Sequence, residues 1–463
     1  MQAWRGVGLA PEDLPPLDLA GAEPALPSSF RIGALAQASL ALVGAGAAAL
    51  HRMRGGPAQR VAVDMDHAVA EFRSERLLHC DGAPPGDLWD PLAGAYRTAD
   101  GWLRVHTNFP HHRDALTALL DCAPEREAIA AALADRAAEA VERDAAETDA
   151  VVAALRPFAA WDAHPQGRAL AAEPLIALDR IGDAPPERPP LDARPLAGVR
   201  VLDLTRVIAG PVAGRTLAAH GAEVLRVTGP QLPALPALDL DTGRGKRATQ
   251  LDLDRPDGRA ALERLAAGAD VFLQSYRPGA LAARGFGAEA LAARRPGVIV
   301  ADLSAYGFTG PWADRRGFDS LVQTATGFNA AEAAAAGDDA PRPLPAQALD
   351  HGAGALLAFG IQAALLRRAR EGGSWRVRVS LARTGLWLRR MGRLDGGLAA
   401  ADPDRASAAR FLEESASPSG RLSAVAHAAR LSAAPPTYAR PSVPLDHDGP
   451  DWATESDAKA NGP

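Results

Sequence analysis

The chain is 463 residues long, 47% hydrophobic and carries a net charge of -6 with a pI near 6.0. That length suits roughly three domain-sized units, and the acidic balance excludes a general nucleic-acid surface. Two cysteines, Cys80 and Cys122, form neither a disulfide framework nor a zinc spacing and suit a reducing cytosol.

Residues 1–29 are proline-rich and predict a loosely ordered start. No apolar export core opens the chain, and the most apolar run, 34–50, is broken by glycines and Gln37, so neither export nor a membrane span is expected and the protein reads as cytoplasmic. Residues 30–89 predict a long Ala/Leu-rich helix, a basic end, a glycine and a short strand, and this order returns later. VAVDMDHAVAEF at 61–72 lies on VRVSLARTGLWL at 377–388 at an offset of 316, an internal repeat weak in identity and clear in pattern. Gly44, Gly46 and Ala49, with Asp64 further on, imitate a dinucleotide fingerprint. The matching stretch in the repeat is helix-like, so a buried helix is the expected reading.

Residues 90–163 read as a small α+β domain: strand, turn at Ala99, Asp100 and Gly101, strand, then helices. His106, His111 and His112 lack a metal-ligand spacing with Cys or carboxylates, so no metal is expected. The proline-punctuated 164–195 predicts a linker. From 196 to 390 strands and helices alternate, which implies a doubly wound parallel sheet with ligands at the strand C-terminal ends. Those ends carry Arg206, Lys246, Arg247, Tyr276 and the run 306–311.

Within 343–381 an acid, Asp350, precedes a long apolar helix closed by Arg367, Arg368 and Arg370 and stopped by Gly372 and Gly373. Gly352 and Gly354 follow it on what reads as a glycine-rich turn at the helix mouth. Taken alone, Asp350 is either a helix cap or a reactive group near free backbone N–H donors. At the 316 offset it falls on Ala34, so the first repeat keeps the scaffold without the acid. Residues 391–463 predict an extended tail whose Gly-Arg and Ala-Pro-Pro spacing echoes 164–195.

Read in order, PLAGVRVLDLTRVIAGPVAGRTLAAHGAEVLRV, GRGKRATQLDL, YRPGALAARGFG, AYGFTGPWADRRGFDSLVQTATG and the 343–381 stretch resemble family III CoA-transferases and their racemase relatives. The resemblance is dense over 195–390, and YRTADGWLRV resembles the family's small domain more weakly. It implies two fused copies, the first without its parallel-sheet half and the second without its small domain, together supplying one full set of parts. The small domain near 90–160 is then expected to approach Asp350, and residues 30–72 to pack beside 353–388.

The resemblance further implies an enzyme that moves CoA from an acyl-CoA to a free carboxylic acid, with Asp350 as nucleophile. Gly352, Gly354 and the helix N–H groups would give close approach and hold the oxyanion. It places Arg206, Ala209, Lys246, Arg247, Leu251, Tyr276, Ala280 and Arg284 along the CoA, with Lys246 and Arg247 on its phosphates. The family's glutamate after the second strand is replaced by Thr228, and its arginine in the PG-x-L-x-R segment by Ala283 with Arg284 one residue on. The racemase branch has a histidine where Phe318 stands, before Asp319, so transfer is preferred to racemisation of a 2-methylacyl-CoA. His351 beside Asp350 is the secondary acid-base candidate, with Asp319, and a non-catalytic CoA-binding scaffold is the third reading. No permanent cofactor is expected, coenzyme A entering as its thioester substrate, and a homodimer is compatible with the sequence.

Overall fold

The computed structural model describes residues 1–453; the last ten residues of the expected tail, with Lys459, lie outside that range. After a short helix at Gln2–Gly6 come strand β1 (Leu17–Ala20), helix α1 (Ile32–Met53), strand β2 (Val61–Asp64) and helix α2 (Met65–Glu71). A small domain follows, with β3 (Gly94–Arg97), β4 (Trp102–Val105), α3 (Pro110–Leu120) and β5 (Val152–Ala154). Its three strands form an antiparallel sheet over a separate core that includes Leu103, Leu116 and Ile129. Then come β6 (Ala177–Gly182), β7 (Arg200–Leu204), α4 (Ala209–Ala219), β8 (Glu223–Thr228), β9 (Lys246–Gln250), α5 (Pro256–Ala267) and β10 (Val271–Gln274). The large unit is completed by α6 (Ala288–Arg294), β11 (Ile299–Ser304), α7 (Asp319–Thr326), α8 (Ala348–Glu371), β12 (Ser374–Ser380) and α9 (Leu381–Arg390), and β13 (Arg430–Leu431) lies in the C-terminal segment.

The main sheet runs β9-β8-β7-β10-β11-β12-β6, the first six strands parallel and β6 antiparallel at the edge. The order reverses between β7 and β10, so the crevice beyond Leu204 and Gln274 is the topological switch point where such sheets bind ligands. The apolar runs VLDL and VFLQ suit strands covered on both faces.

The first unit repeats one edge of this sheet. Helices α1 and α8 start 316 residues apart, as do α2 and α9. β1 runs parallel to β2 as β11 does to β12, and β13 runs antiparallel to β2 as β6 does to β12. The registers agree too: Leu17 pairs with Val61 and Ala301 with Val377, so LDLA at 17–20 takes the place of ADLS at 301–304. Beyond β11 the main sheet continues, whereas β1 leaves Leu17 and Leu19 exposed at 37% and 48%. Helices α1 and α8 pack side by side in the same direction, Leu35 against Gly352 and Gly46 against Gln362.

Three expectations are corrected. Residues 1–29 are built into the fold, because Trp4 is buried and stacks on Phe359 of α8 at 5.7 Å. The segment 164–195 is no free linker: it carries β6, which closes the sheet edge. The C-terminal segment is likewise folded, as a hairpin of Leu412–Ser417 with Gly420–Val425 and as β13. In each case long-range pairing orders chain whose local proline content suggests otherwise. Helices α1 and α8 are long and apolar enough to cross a membrane, yet both are core helices, with 89% and 100% of their apolar windows buried.

Candidate functional site

A cavity of about 370 Å³ opens at the switch point, with Asp350 in its wall. The loop after β7 contributes Arg206, Val207, Ile208 and Ala209, and the loop after β10 contributes Tyr276, Arg277 and Ala280. The end of β11, the segment 315–318 before α7 and the small domain's Phe109, His111 and His112 complete it. Val207 holds a left-handed backbone, φ 73°, which is costly for a β-branched residue and turns the chain sharply at the cavity rim. A second cavity of about 570 Å³ adjoins the first across Arg277, Arg315 and Arg316.

Asp350 is the third residue of α8 and only 7% exposed. The backbone N–H groups of Leu349 and Asp350 donate to Asp319 Oδ2 at 2.8 and 2.9 Å. Asp319, the first residue of α7, therefore caps α8 from outside, and Gln323 donates to its other oxygen. A negative group there is favoured by the helix dipole. Burial pushes the Asp319 carboxyl up to about 6 against the pull of these donors. The Asp350 carboxyl is raised well above its ordinary value by burial, then by the Asp319 and Glu75 charges.

The glycines after Asp350 do different work from that expected. Both lie inside α8, and a Cβ on Gly354 would collide with the Ala209 carbonyl oxygen while one on Gly352 would press on Thr384 and Leu35. They let α8 pack against its neighbours and bring the Asp350 turn beside Ala209. Two of the α8 N–H groups expected to hold an oxyanion are already taken, since Asp319 accepts from Leu349 and Asp350.

Of the other expected contacts, Arg206, Ala209, Tyr276 and Ala280 meet in the cavity with Asp350. Burial raises the Tyr276 phenol. Lys246 does not reach it: fully buried, its Nζ donates to Asp203 Oδ2 and to the Pro211 carbonyl, both at 2.8 Å, tying β7 to α4. Burial lowers the Lys246 ammonium to about 8 against the pull of Asp203. Arg247 is held by Asp448 and the Asp451 carbonyl, Leu251 packs in the core under α5, and Arg284 pairs with Asp254 at 2.7 Å outside the cavity. His351 turns the other way, its Nε2 3.0 Å from Glu75 Oε2 and its ring stacked on Phe72, so it cannot pair with Asp350 across a substrate.

Three features take a place in the cavity that the sequence reading did not give them. Phe109, His111 and His112 come from the NFPHH segment that opens α3, and their only local signal was aromatic and imidazole groups at a strand-to-helix turn. Phe318 sits in a cluster with them, His106 stacked on it at 3.9 Å and His112 edge-on at 5.8 Å. Arg315 and Arg316 face both cavities, in the run ADRRGFD. Among the described residues no group of His, Cys, Asp and Glu could hold a metal ion.

The family model described as CoA-transferase family III matches residues 18–185 and 196–409. A probable fatty acyl-CoA transferase, Rv3272 of Mycobacterium tuberculosis, is 38% identical over 202 residues, 41% of this chain and 51% of the relative. The succinate–glutarate CoA-transferase of Agrobacterium fabrum is 33% identical over 217 residues, 43% of this chain and 52% of the relative. A crystal structure of Rv3272 in its orthorhombic form is 35% identical with a TM-score of 0.39, covering 43% of this chain and 59% of that one. The chain spans about half the length of these relatives.

Proposed function

The chain belongs to CoA-transferase family III, and we propose that it moves CoA from an acyl-CoA to a free carboxylic acid through a covalent intermediate on Asp350. The observation that carries this reading is a buried carboxylate, paired with no cation among the described residues, at the switch point of a doubly wound sheet. An Asp350 oxygen bonds to the thioester carbon and CoA leaves as thiolate, giving a mixed anhydride. The thiolate then bonds to the Asp350 carboxyl carbon, and the first acid leaves as carboxylate. The incoming acid reverses these steps, so bonds made and broken balance and no net proton is exchanged.

Several relatives are named for dicarboxylic acids, among them succinate, glutarate and D-citramalate. Arg277, which faces both cavities and pairs with no carboxylate among the described residues, supports an acid with a second anionic group, since a guanidinium matches a carboxylate fork. Lys246 and Arg247 are spent on internal contacts, so CoA phosphates would rest on Arg206. Phe318 in the cavity and His351 turned to Glu75 leave the racemase reading without a second base at either expected position.

The test is mass spectrometry of the full chain incubated with a panel of acyl-CoAs. A CoA-sized adduct mapping to Asp350, absent in Asp350→Ala, is expected. An unmodified protein that still exchanges CoA would defeat the covalent route, and a protein inert to every acyl-CoA would favour the scaffold reading.

A further inference from the structure

Resting on that reading, the geometry points to His112 as a catalytic hydrogen-bond donor, brought by the small domain onto the thioester carbonyl oxygen and the oxyanion that forms from it.

Each step of the exchange turns a carbonyl carbon tetrahedral and leaves its oxygen negative, and donors placed there are worth about 10²–10³ in rate. At the α8 start the Leu349 and Asp350 N–H groups are taken by Asp319 and that of His351 by the Gln347 carbonyl. Ser304 Oγ both donates to and accepts from Gly307, at 3.0 and 3.1 Å. Arg206 gives its Nη2 to the Pro233 carbonyl, Arg315 bonds the Glu142 carbonyl, and Arg316 pairs with Asp149.

His112 is placed and uncommitted. It lies in the first turn of α3 in the cavity wall and is 4% exposed. Phe109 and Phe318 hold the ring edge-on at 5.3 and 5.8 Å. Nδ1 is buried without a partner, and neither ring nitrogen bonds the protein among the described residues. An unpaired buried polar group is costly unless something bound satisfies it. Either nitrogen is therefore free to carry the single proton.

Burial, with positive charge from His111, Arg316 and Arg206 outweighing Asp149, lowers the imidazole to about 3. A ring that stays neutral suits this reaction, which needs a donor that keeps its proton.

The experiment compares His112→Phe and His112→Gln in the full chain. Adduct formation on Asp350 is timed by intact mass in single turnover, with kcat, KM for the acyl-CoA and thermal melting measured alongside. His112→Phe should slow adduct formation about a hundredfold with KM within about threefold, and His112→Gln, which retains a donor, should recover at least a tenth of the wild-type rate. A His112→Phe rate within threefold of wild type overturns the assignment. So does a Gln variant as slow as Phe, which would make the ring a packing element. Exchange of the acyl α-proton in deuterated water that disappears in both variants would make His112 a base and equally overturn it. Wild-type protein that forms no adduct defeats the parent reading, whereas a wild-type adduct unaffected by His112→Phe defeats this inference alone.

Discussion

The starts of α1 and α8 are the same construction put to two uses. Both helices are buried, run side by side and take a carboxylate from outside onto their first N–H groups: Glu23 Oε1 accepts from Ala34 at 2.8 Å, and Asp319 Oδ2 accepts from Asp350 at 2.9 Å. At the equivalent position one helix carries Ala34 and the other a second carboxylate. Glu23 is a partly exposed cap, a common way to finish a helix. Asp319 is buried beside Asp350, and that like-charge pair is what an ordinary cap avoids. The difference extends to the surroundings. β11 continues into a sheet whose loops build a cavity over Asp350, while the strand in the same register of the first unit, β1, has no such neighbour among the described residues. The acid stands where a sheet crevice opens a cavity beside it.

The strongest way to break this comparison is to move the acid. Asp350→Ala should lower CoA transfer by at least about a thousandfold while the protein still folds, since the N–H groups it follows remain capped by Asp319. Adding Ala34→Asp to that variant should restore nothing, because Arg206, His112 and the switch-point loops are gathered around the other helix start. Transfer assays of the single and double variants decide it, and recovery in the double variant would mean that the first unit holds a competent site.

The next effect is the charge pair itself. On the proposed covalent route Asp350 must be ionised, and burial with the neighbouring charges pushes Asp350 well above its ordinary value, while burial pushes Asp319 up to about 6. Single-turnover adduct formation should therefore rise with pH above 6 rather than stay flat. Asp319→Asn removes the like charge and should shift that rise to lower pH. For stability the sign is opposite. A folded carboxyl that binds its proton more tightly than the unfolded chain contributes stability below about pH 4, which is lost as pH climbs through the folded value. Asp350→Asn should accordingly melt higher than wild type at about pH 8, with the gap closing near about pH 4. Equal melting of the two at the higher pH would show that burial and the neighbouring charges do not disfavour the ionised Asp350.

How much of this was legible follows from range. The doubly wound order, the long helix that starts beside Asp350 and the 316-residue spacing between its start and that of α1 were readable because periodicity and strand-helix alternation are local or collinear signals. Lys246 and Arg247 were misplaced for the same reason: a Gly-Lys-Arg turn reads as a phosphate site until Asp203 and Asp448, distant in sequence, are seen to hold it. His112 was read only as a rejected metal candidate: the approach of the small domain to Asp350 was expected, but which of its side chains would line the cavity depends on long-range packing, and β6 was missed because a strand completing a sheet edge needs no pattern beyond its partner's. The glycines at 352 and 354 were read as chemistry, yet what they touch, Ala209 and Leu35, is packing.

The smallest effects separate the two helices by what faces their glycines. At Gly354 the obstacle is backbone: a Cβ would run into the Ala209 carbonyl oxygen and lie 3.0 Å from Val212. Gly354→Ala must push α4 off α8, an overpacking that costs about 1–3 kcal/mol, and because Ala209 lines the cavity, adduct formation should slow as well. At Gly46 the nearest atom is Gln362 Oε1, the movable end of a side chain whose amide has no hydrogen-bond partner among the described residues, so that after it turns only Gln362 Cβ, at 3.1 Å, has to give by a few tenths of an ångström. Alanine also gains about 1 kcal/mol over glycine inside a helix. Gly46→Ala should therefore leave stability within about 1 kcal/mol of wild type and transfer unchanged. Urea melts of the two variants, read with single-turnover rates, test this. A Gly46→Ala loss as large as that of Gly354→Ala would mean that the contact between α1 and α8 is as tightly bound to the site as the one between α8 and α4.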